Sequence, residues 1–437
     1  MFAFGFSQRE ITPALGMGIP GYFEARHNRG VKDPLFAKAA AMEAGGERCA
    51  LVVCDTIHLE LCDQLAIRKR ASDLCGIPPE RIFVWATHTH TGGPVGRGGN
   101  QRREKAYIDM LARQAAEAVA EAWARRISAR IGFASGQVPG ISFIRRFCTE
   151  SGGVVTNPPR NDPSLTGPDG TPDETLTIAR VDDAASGTPI AFLANFGVHL
   201  DTVGGELISA DYPGVLAERV RQEYGEHVAC MFFTGPCGNT NHLNRADPST
   251  YTDPDMPVRI GNALFAKLRE LDRSLMTREE ILQVGSKRFL WELQTVTKQR
   301  AEWGRGVLEG TIHAEPSKMF DPALYARAAV DIYARIESVR EVEVGAVRLG
   351  DNWIFAWPCE MFVEFGRAVR AAQPGRQLLI GELAAGSFYG YVPTLGAYER
   401  GGYETLPSGV HCCKPGLGER IEQVTLELIA QMERKAE

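Results

Sequence analysis

Residues 81–93 read Arg-Ile-Phe-Val-Trp-Ala-Thr-His-Thr-His-Thr-Gly-Gly, an apolar run that leads directly into two histidines. The β-branched and aromatic residues at 82–85 predict a buried strand. In an extended chain, residues i and i+2 point to the same side, so His88 and His90 would face one space. Neutral imidazole is the commonest protein ligand for zinc-like metals. The stretch therefore predicts a strand that carries a candidate metal site at its end.

Apolar runs of strand length alternate with amphipathic helical patterns on both sides of this stretch. Strand character is present at 49–54, 82–85, 189–196, 229–233 and 353–357, and helical character at 62–74, 104–124, 212–224 and 419–435. This alternation is typical of an α/β fold. The charged segment 288–341 predicts a helical insertion that packs on the core. Because no internal repeat or linker interrupts the chain, we predict a single domain over residues 1–437.

The composition indicates a globular protein with a large core. Of the 437 residues, 44% are hydrophobic and 23% are charged, and the net charge is −6. No long basic run is present, so nucleic acid and anionic membranes are not expected partners. The sequence has no apolar stretch of membrane-spanning length and no pattern of a secretory signal. We expect a soluble, cytoplasmic protein that acts on a small-molecule substrate without stable membrane association, and we leave homo-oligomerisation open.

Several of the predicted strands run into a chemically capable side chain. His199, Glu360 and Asn241 each follow an apolar run of strand length, as His88 and His90 do. Ligands and catalytic groups in α/β proteins cluster beyond the carboxyl ends of strands. The repetition indicates one functional edge rather than a set of unrelated polar residues.

The motifs, in their order along the chain, resemble the catalytic domain of the neutral, non-lysosomal ceramidase family. The matching segments are 11–16 with 21–22, 33–38, 88–92, 198–199, 208–214, 358–360, 391–394, 398 and 403–404. Each segment is short, but the ordered set covers nearly the whole chain. The resemblance implies layered mixed β-sheets flanked by helices, and it implies a metal-dependent hydrolase that acts on C–N (amide) bonds.

By this resemblance, His88, His199, Glu360 and Tyr391 hold one zinc ion. Two imidazoles, a carboxylate and a phenolate suit a borderline-soft dication that binds nitrogen and oxygen ligands. Tyrosine is the unusual member, since the metal must remove a proton whose pKa is normally about 10. Tyr389 is the local rival of Tyr391 for this position. We expect one ion and no second metal.

The resemblance also implies which groups face the substrate. His90, Tyr403 and Arg145 would act in catalysis, and Tyr389 with the backbone around Gly21 would contact the substrate. His90 is the expected general base or acid, because imidazole titrates near neutral pH. Arg145 and Tyr403 would stabilise a developing oxyanion.

Two departures from the family pattern bear on the reaction. Lipid-cleaving members carry a Gly-Asp-x-Ser-Pro segment with a proposed nucleophilic serine, whereas residues 238–242 read Gly-Asn-Thr-Asn-His. Asn241 stands at the serine position, where an amide can form hydrogen bonds but cannot serve as the nucleophile. Ile144 replaces the asparagine that usually precedes the arginine, which leaves open whether Arg145 or Arg146 faces the site. We therefore expect metal-activated water to attack an amide or ester of a small, non-lipid substrate.

Two other interpretations stay open at this point. In a (β/α)8 barrel of the amidohydrolase type, His88 and His90 would both be ligands after the first strand. A metal-containing protein without hydrolase activity, such as an isomerase, a lyase or a binding protein, could hold the same residues. Under the ceramidase-like interpretation, Asp55 and Asp211 are expected outside the ligands, where they would fix the tautomer of the ligand imidazoles.

Overall fold

The computed structural model describes residues 1–96, 103–316, 321–384, 390–408 and 412–434. Two β-sheets face each other in the middle of the molecule, and helices cover the outer surface of each sheet. The protein therefore has the α/β architecture of layered mixed sheets flanked by helices that the sequence predicts.

The secondary structure elements follow one another with short connections. The strands are β1 (Phe2–Glu10), β2 (Gly18–Ile19), β3 (Arg26–His27), β4 (Gly30–Val31), β5 (Phe36–Ala44), β6 (Glu47–Cys54), β7 (Ile82–Ala86), β8 (Ile127–Gln137), β9 (Phe143–Ile144), β10 (Arg146–Thr149), β11 (Val154–Thr156), β12 (Leu165–Pro168), β13 (Thr175–Asp183), β14 (Pro189–Phe196), β15 (Leu207–Ile208), β16 (Ala229–Thr234), β17 (Thr240–Asn241), β18 (Leu282–Glu292), β19 (Val339–Leu349), β20 (Asn352–Ala356), β21 (Glu360–Met361), β22 (Leu378–Gly381) and β23 (Tyr391–Val392). The helices are α1 (Leu61–Cys75), α2 (Lys105–Ala124), α3 (Tyr212–Tyr224), α4 (Met256–Asp272), α5 (Lys298–Leu308), α6 (Pro322–Ala334), α7 (Val363–Ala372), α8 (Leu395–Arg400) and α9 (Leu417–Arg434).

The larger sheet has eight strands in the order β16-β14-β13-β8-β1-β5-β6-β7. The β14–β16 and β6–β7 pairs are parallel, and the other neighbours are antiparallel. Strand β5 shows how both faces are buried: Ala37, Ala39 and Ala41 face helices, whereas Ala40 and Met42 face the second sheet. The alternation follows from the two-residue period of an extended chain.

The smaller sheet has four strands in the order β18-β19-β20-β22, with β20 and β22 parallel. Its inner face packs on the larger sheet in one hydrophobic core that includes Phe83, Val347 and Ile354. Gly345 on β19 lies against Phe83 on β7, where a Cβ atom would come within 2.3 Å of the ring. A glycine at this position therefore permits the close contact between the two sheets.

Helices cover the outer faces of both sheets. Helices α1 and α2 pack on the β5–β7 side of the larger sheet, and α3 and α4 pack on its β13–β16 side. Helices α7 and α9 cover the smaller sheet. None of the described helices combines the length and the apolar character that a membrane crossing needs.

The predicted helical insertion is present but shorter than expected. Helices α5 and α6 pack against each other between the antiparallel strands β18 and β19. Residues 288–292 and 339–341, which were expected to be helical, continue those two strands instead. The eight-stranded sheet is open and mainly antiparallel, so the (β/α)8 barrel interpretation is wrong.

The carboxyl ends of strands from both sheets meet at one edge. The N–H of Ala86 after β7 donates to the carbonyl of Leu383 after β22, at 3.3 Å. The N–H of Glu382 donates to the carbonyl of Thr234 at the end of β16, at 2.8 Å. The segments that carry the predicted site residues are therefore brought together by backbone hydrogen bonds between the two sheets.

Candidate metal centre

The backbone turns sharply where strand β7 ends. His88 lies in the left-handed region with φ of 76°, and its N–H donates to the carbonyl of Thr56 at 2.8 Å. A non-glycine residue in this region is uncommon and frequent at functional sites. The Nδ1 atom of the buried His88 ring lies 2.8 Å from the carbonyl oxygen of Ile57. This contact fixes the ring and leaves Nε2 to face the interior of the site.

His199 and Glu360 meet His88 at one point. The Nε2 atoms of His88 and His199 lie 3.1 Å apart. Oε2 of Glu360 lies 3.3 Å from Nε2 of His88 and 3.9 Å from Nε2 of His199. Ligand atoms bound tetrahedrally at about 2.05 Å from a zinc ion are about 3.3 Å apart. The three side chains therefore fit a single zinc-like dication.

His90 completes a buried group of three imidazoles. Its ring centroid lies 5.0 Å from that of His88 and 5.2 Å from that of His199, and donor atoms of the three rings all lie within 4.8 Å of one another. His90 is 8% exposed, and neither of its ring nitrogens has a hydrogen-bond partner among the described residues. Buried polar atoms without a partner are costly. These nitrogens indicate a site prepared for a ligand that the protein itself does not supply.

Gly21 provides the space that His90 occupies. Gly21 has φ of 110°, and a Cβ atom there would lie 2.7 Å from Nδ1 of His90 and 2.9 Å from Cδ1 of Ile57. Its predicted place at the site is therefore a close approach of backbone to imidazole.

Burial and mutual charge set the pKa values in this group. Burial would lower the pKa of His88, but the Glu360 carboxylate outweighs it and raises that pKa above its ordinary value. Burial would likewise raise the pKa of Glu360, but His88 lowers it. Burial holds the pKa values of His90 and His199 well below the ordinary value. Both rings are thus neutral at pH 7, the form that binds a metal or accepts a proton.

Tyr391 lies beside Glu360 because the parallel pairing of β21 and β23 places the two residues opposite each other. The Arg145 guanidinium lies 4.9 Å from the centroid of the Tyr391 ring, and the Tyr403 ring centroid lies 5.5 Å from it. Burial raises the pKa of Tyr391 well above its ordinary value, an effect that the Arg145 charge opposes. Burial raises the pKa of Tyr403 to about 12. The structure thus brings three of the predicted site residues together next to Glu360.

Arg145 rather than Arg146 contacts the site. Arg145 donates from Nε to Oε1 of Glu404 at 2.9 Å and from Nη2 to the carbonyl of Gly238 at 2.7 Å. Arg146 is fully buried and donates to Oε2 of Glu404 at 2.7 Å and to Asp169 at 3.1 Å. We call Arg145, Arg146, Asp169 and Glu404 the arginine cluster. It positions Arg145 over Tyr391 and answers the question that the sequence leaves open.

Asn241 is buried in the short β9–β17 pair, and its amide is engaged. Its Nδ2 donates to Oδ1 of Asn157 at 2.7 Å, and its Oδ1 accepts the N–H of Leu243 at 3.0 Å. These bonds join the amide to the neighbouring loops rather than to a histidine of the described residues.

The expectation that Asp55 and Asp211 hold the imidazoles is wrong. Asp55 is fully buried and pairs with Lys38 at 3.7 Å. Asp211 caps helix α3 and accepts the N–H groups of residues 202–203. Because donors on neighbouring segments take up these carboxylates, His88 is oriented by the carbonyl of Ile57 instead.

Sequence reasoning missed Glu382, a fully buried acid directly after β22. One oxygen accepts the N–H of Met361 at 2.7 Å and of Cys237 at 3.3 Å, and the other lies 3.1 Å from Sγ of Cys237. This sulfur lies 3.8 Å from Nδ1 of His199. Burial raises the pKa of Glu382 well above its ordinary value. Glu382 thus links the residue after Glu360 to the partner of His199, and an acid within an apolar run was the available signal.

Asp201 also lies at the site without having been predicted. Its Oδ1 accepts the hydroxyl of Tyr22 at 2.5 Å and lies 3.8 Å from Nδ1 of His90. The side chain is 34% exposed, although its neighbour His90 is buried. Tyr389, predicted to contact the substrate, lies outside the described residues, and that role stays a prediction.

Comparison with known proteins supports the fold. No protein-family model and no curated protein sequence matches this chain. Among solved structures, the neutral ceramidase from Pseudomonas aeruginosa matches with a TM-score of 0.73 and 19% identity, over 99% of this chain and 75% of the ceramidase chain. A ceramidase complexed with C2 matches with a TM-score of 0.69 and 18% identity, over 97% and 74% of the two chains. This chain has the fold of the neutral ceramidases.

Proposed function

We propose that this protein is a zinc-dependent hydrolase that cleaves an amide or ester bond of a small, non-lipid substrate. The observation that carries the proposal is the convergence of His88, His199 and Glu360, with the unpaired imidazole of His90 beside them. The matched structures are ceramidases, and the shared fold supports a hydrolytic role. The same proposal includes a cytoplasmic location and a small-molecule substrate.

In this proposal His88, His199, Glu360 and Tyr391 hold the zinc ion. When bound, zinc supplies Lewis acidity, which polarises a carbonyl and lowers the pKa of water toward about 7. The Ile57 carbonyl orients His88 for this task. The Arg145 charge beside Tyr391 favours the phenolate form that binds a metal.

The remaining groups handle protons and developing charge. His90, neutral and unpaired, accepts a proton from the attacking water and returns it to the leaving amine or alcohol. Arg145 and Tyr403 stabilise the negative charge that develops on the carbonyl oxygen. Asn241 offers no nucleophile and its amide is already hydrogen-bonded, which supports attack by water instead of a side chain.

The test combines metal analysis with turnover. We expect the purified protein to bind one zinc ion and to hydrolyse at least one member of a panel of simple N-acyl amides, esters and lactones. His90→Gln should keep zinc and lose about 10²–10⁴-fold in turnover, as expected for removal of a general base. The exposed His313 provides a control, and His313→Gln should change neither quantity.

Other outcomes separate the competing assignments. Loss of zinc in His90→Gln would make His90 a ligand and replace the proposed set. Stoichiometric zinc without turnover across the whole panel would favour a non-hydrolytic metalloprotein. A protein that binds no zinc would end the proposal.

A further inference from the structure

Asp201 occupies the rim of the candidate site. It follows His199 by two residues, and its Oδ1 lies 3.8 Å from Nδ1 of His90. The carboxyl side chain is 34% exposed, whereas His90 is only 8% exposed. Asp201 therefore stands between the buried imidazoles and the solvent, on the path by which a substrate would enter.

The surrounding residues fix Asp201 in place. The Tyr22 hydroxyl donates to Oδ1 at 2.5 Å, and Tyr22 is the one hydrogen-bond donor to Asp201 within the part of the chain that the structure describes. The Arg26 guanidinium lies 3.7 Å from the Tyr22 ring centroid and donates to the carbonyls of Pro20 and His90. Because Arg26 is engaged with these carbonyls, it holds the loop in place and does not neutralise Asp201 through a direct ion pair. Oδ2 is left to meet a ligand.

His242 adds a second acceptor on the same side. It lies close enough to Asp201 for the two side chains to interact electrostatically. Its Nδ1 is buried and has no hydrogen-bond partner among the described residues. The neighbouring Asn241 amide is already satisfied by Asn157 and Leu243. This rim therefore presents acceptors that lack donors.

Aromatic rings complete the rim. Tyr22 lies with its ring centroid 5.9 Å from that of His90, and Phe23 lies 6.4 Å from the ring of Tyr403. A carboxylate next to aromatic faces is a favourable environment for an organic cation, which gains both a charge-assisted hydrogen bond and cation–π attraction.

We infer that Asp201, with His242 and Tyr22, forms a subsite for a primary ammonium group, so that the substrate class is an amide or ester that carries a protonated amine a few bonds from the reacting carbonyl. This inference rests on the proposed zinc hydrolase function. It adds to that function a reason for selecting small cationic substrates over neutral or lipid ones.

Two hydroxamates of equal length test the subsite without requiring turnover. β-Alanine hydroxamate carries an ammonium group where butanohydroxamate carries a methyl group, and both chelate zinc through the hydroxamate. Binding is measured by calorimetry at pH 8 on the zinc-loaded protein. The ammonium probe should bind about 10- to 100-fold tighter, the range of one hydrogen bond to a charged group.

Asp201→Asn keeps the shape and removes the charge. The preference for the ammonium probe should fall about 10-fold or more, while butanohydroxamate affinity changes less than about threefold. Because an ammonium group also alters the hydroxamate itself, the decisive quantity is this change in the ratio of affinities. Glu206→Gln is the control, since Glu206 lies in the next part of the same loop and pairs with Arg29; its ratio should match that of the wild type.

The outcomes distinguish the two levels of the proposal. An unchanged ratio in Asp201→Asn overturns the ammonium subsite and leaves the hydrolase proposal intact. Failure of both hydroxamates to bind the zinc-loaded wild type counts against the metal site itself and removes the subsite with it. If Asp201→Asn does not retain zinc, Asp201→Ser is measured in its place, with the same ratio required to fall.

Discussion

Two buried polar clusters lie side by side in this protein, and they differ in how well their atoms are paired. The arginine cluster has donors matched to acceptors: both oxygens of Glu404 accept from guanidinium groups, and Thr156 adds a third bond at 2.8 Å. The imidazole cluster, which we define as His88, His90, His199 and Glu360, has nitrogens that face one another and two ring nitrogens of His90 without any described partner.

The difference separates a structural cluster from a functional one. Buried charge is tolerated when it is paired and hydrogen-bonded, and the arginine cluster meets that condition within the fold. The imidazole cluster meets it when a cation enters. Removal of a member should therefore cost folding stability in the first cluster and ligand affinity in the second.

The largest effect is expected from Glu404→Ala. This change leaves two buried guanidinium groups without their shared carboxylate, which should lower the free energy of unfolding by about 3–5 kcal/mol. Denaturant unfolding of the metal-free protein measures it. Glu427 is the matched control, because it pairs with Lys287 and Arg420 at the surface, and Glu427→Ala should cost less than about 1 kcal/mol. Equal costs for the two variants would remove the distinction between the clusters.

His88→Ala should show the opposite pattern. Zinc binding by four ligands is worth about 10–16 kcal/mol, so each ligand contributes about 2.5–4 kcal/mol, or about 10²–10³-fold in affinity. Chelator competition measures the zinc dissociation constant, and unfolding of the metal-free protein should change by less than about 1 kcal/mol. The exposed His227 serves as control, since His227→Ala should alter neither value. A loss of stability as large as that of Glu404→Ala would contradict the functional assignment.

The sequence predicts the convergence of the histidines, but by an argument that the backbone does not follow. The prediction treats residues 86–90 as extended, so that alternate side chains share a face. In the structure the strand ends at Ala86, and His88 adopts φ of 76°. The two rings nevertheless lie 5.0 Å apart, because the turn is stabilised by Thr56 and Ile57. Strand identity is encoded locally, whereas the turn depends on contacts with another segment.

The acids at the site could not be assigned for a related reason. A carboxyl group at a strand end can serve a metal ligand, an ion pair or a helix cap, and the sequence does not say which donor comes nearest. Asp55 is taken by Lys38, and Asp211 caps a helix. Glu382 carries out the task expected of them, although it lies in an apolar run that indicates only a buried strand. The α/β class could be predicted because it rests on periodicity, which each segment carries by itself.

Glu382→Ala tests whether an outer carboxyl controls the imidazole cluster. The change removes the acceptor shared by Met361 and Cys237 and should weaken zinc binding about 10- to 100-fold, as for other partners of metal ligands. Glu382→Gln keeps an oxygen for the Met361 N–H and an amide that can donate to the Cys237 sulfur, so it should stay within about threefold of the wild type. Zinc affinity and the visible spectrum of the cobalt-loaded protein provide the readouts.

Glu343 is the control for the structural cost of Glu382→Ala. It is also a buried acid, and it pairs with Arg68 at 2.8 Å between α1 and β19. Glu343→Ala should therefore lower stability while leaving zinc affinity and the cobalt spectrum unchanged. If both variants weaken zinc equally, the effect of Glu382 would be one of general destabilisation.

The smallest effect concerns the space around His90. Gly21→Ala places a Cβ atom 2.7 Å from Nδ1 of His90, so the imidazole or the loop must move. Gly16 offers a matched comparison, because it also has positive φ, at 84°, but nothing lies within 4 Å of its added Cβ atom. Both alanines carry a backbone cost of about 1–3 kcal/mol, and Gly21→Ala should cost about 1 kcal/mol more, at the low end for an overpacked site. Because His90 is not among the proposed ligands, zinc affinity should change less than about threefold in either variant. A larger loss of zinc in Gly21→Ala alone would instead show that the position of His90 determines metal binding, and would move His90 into the ligand set.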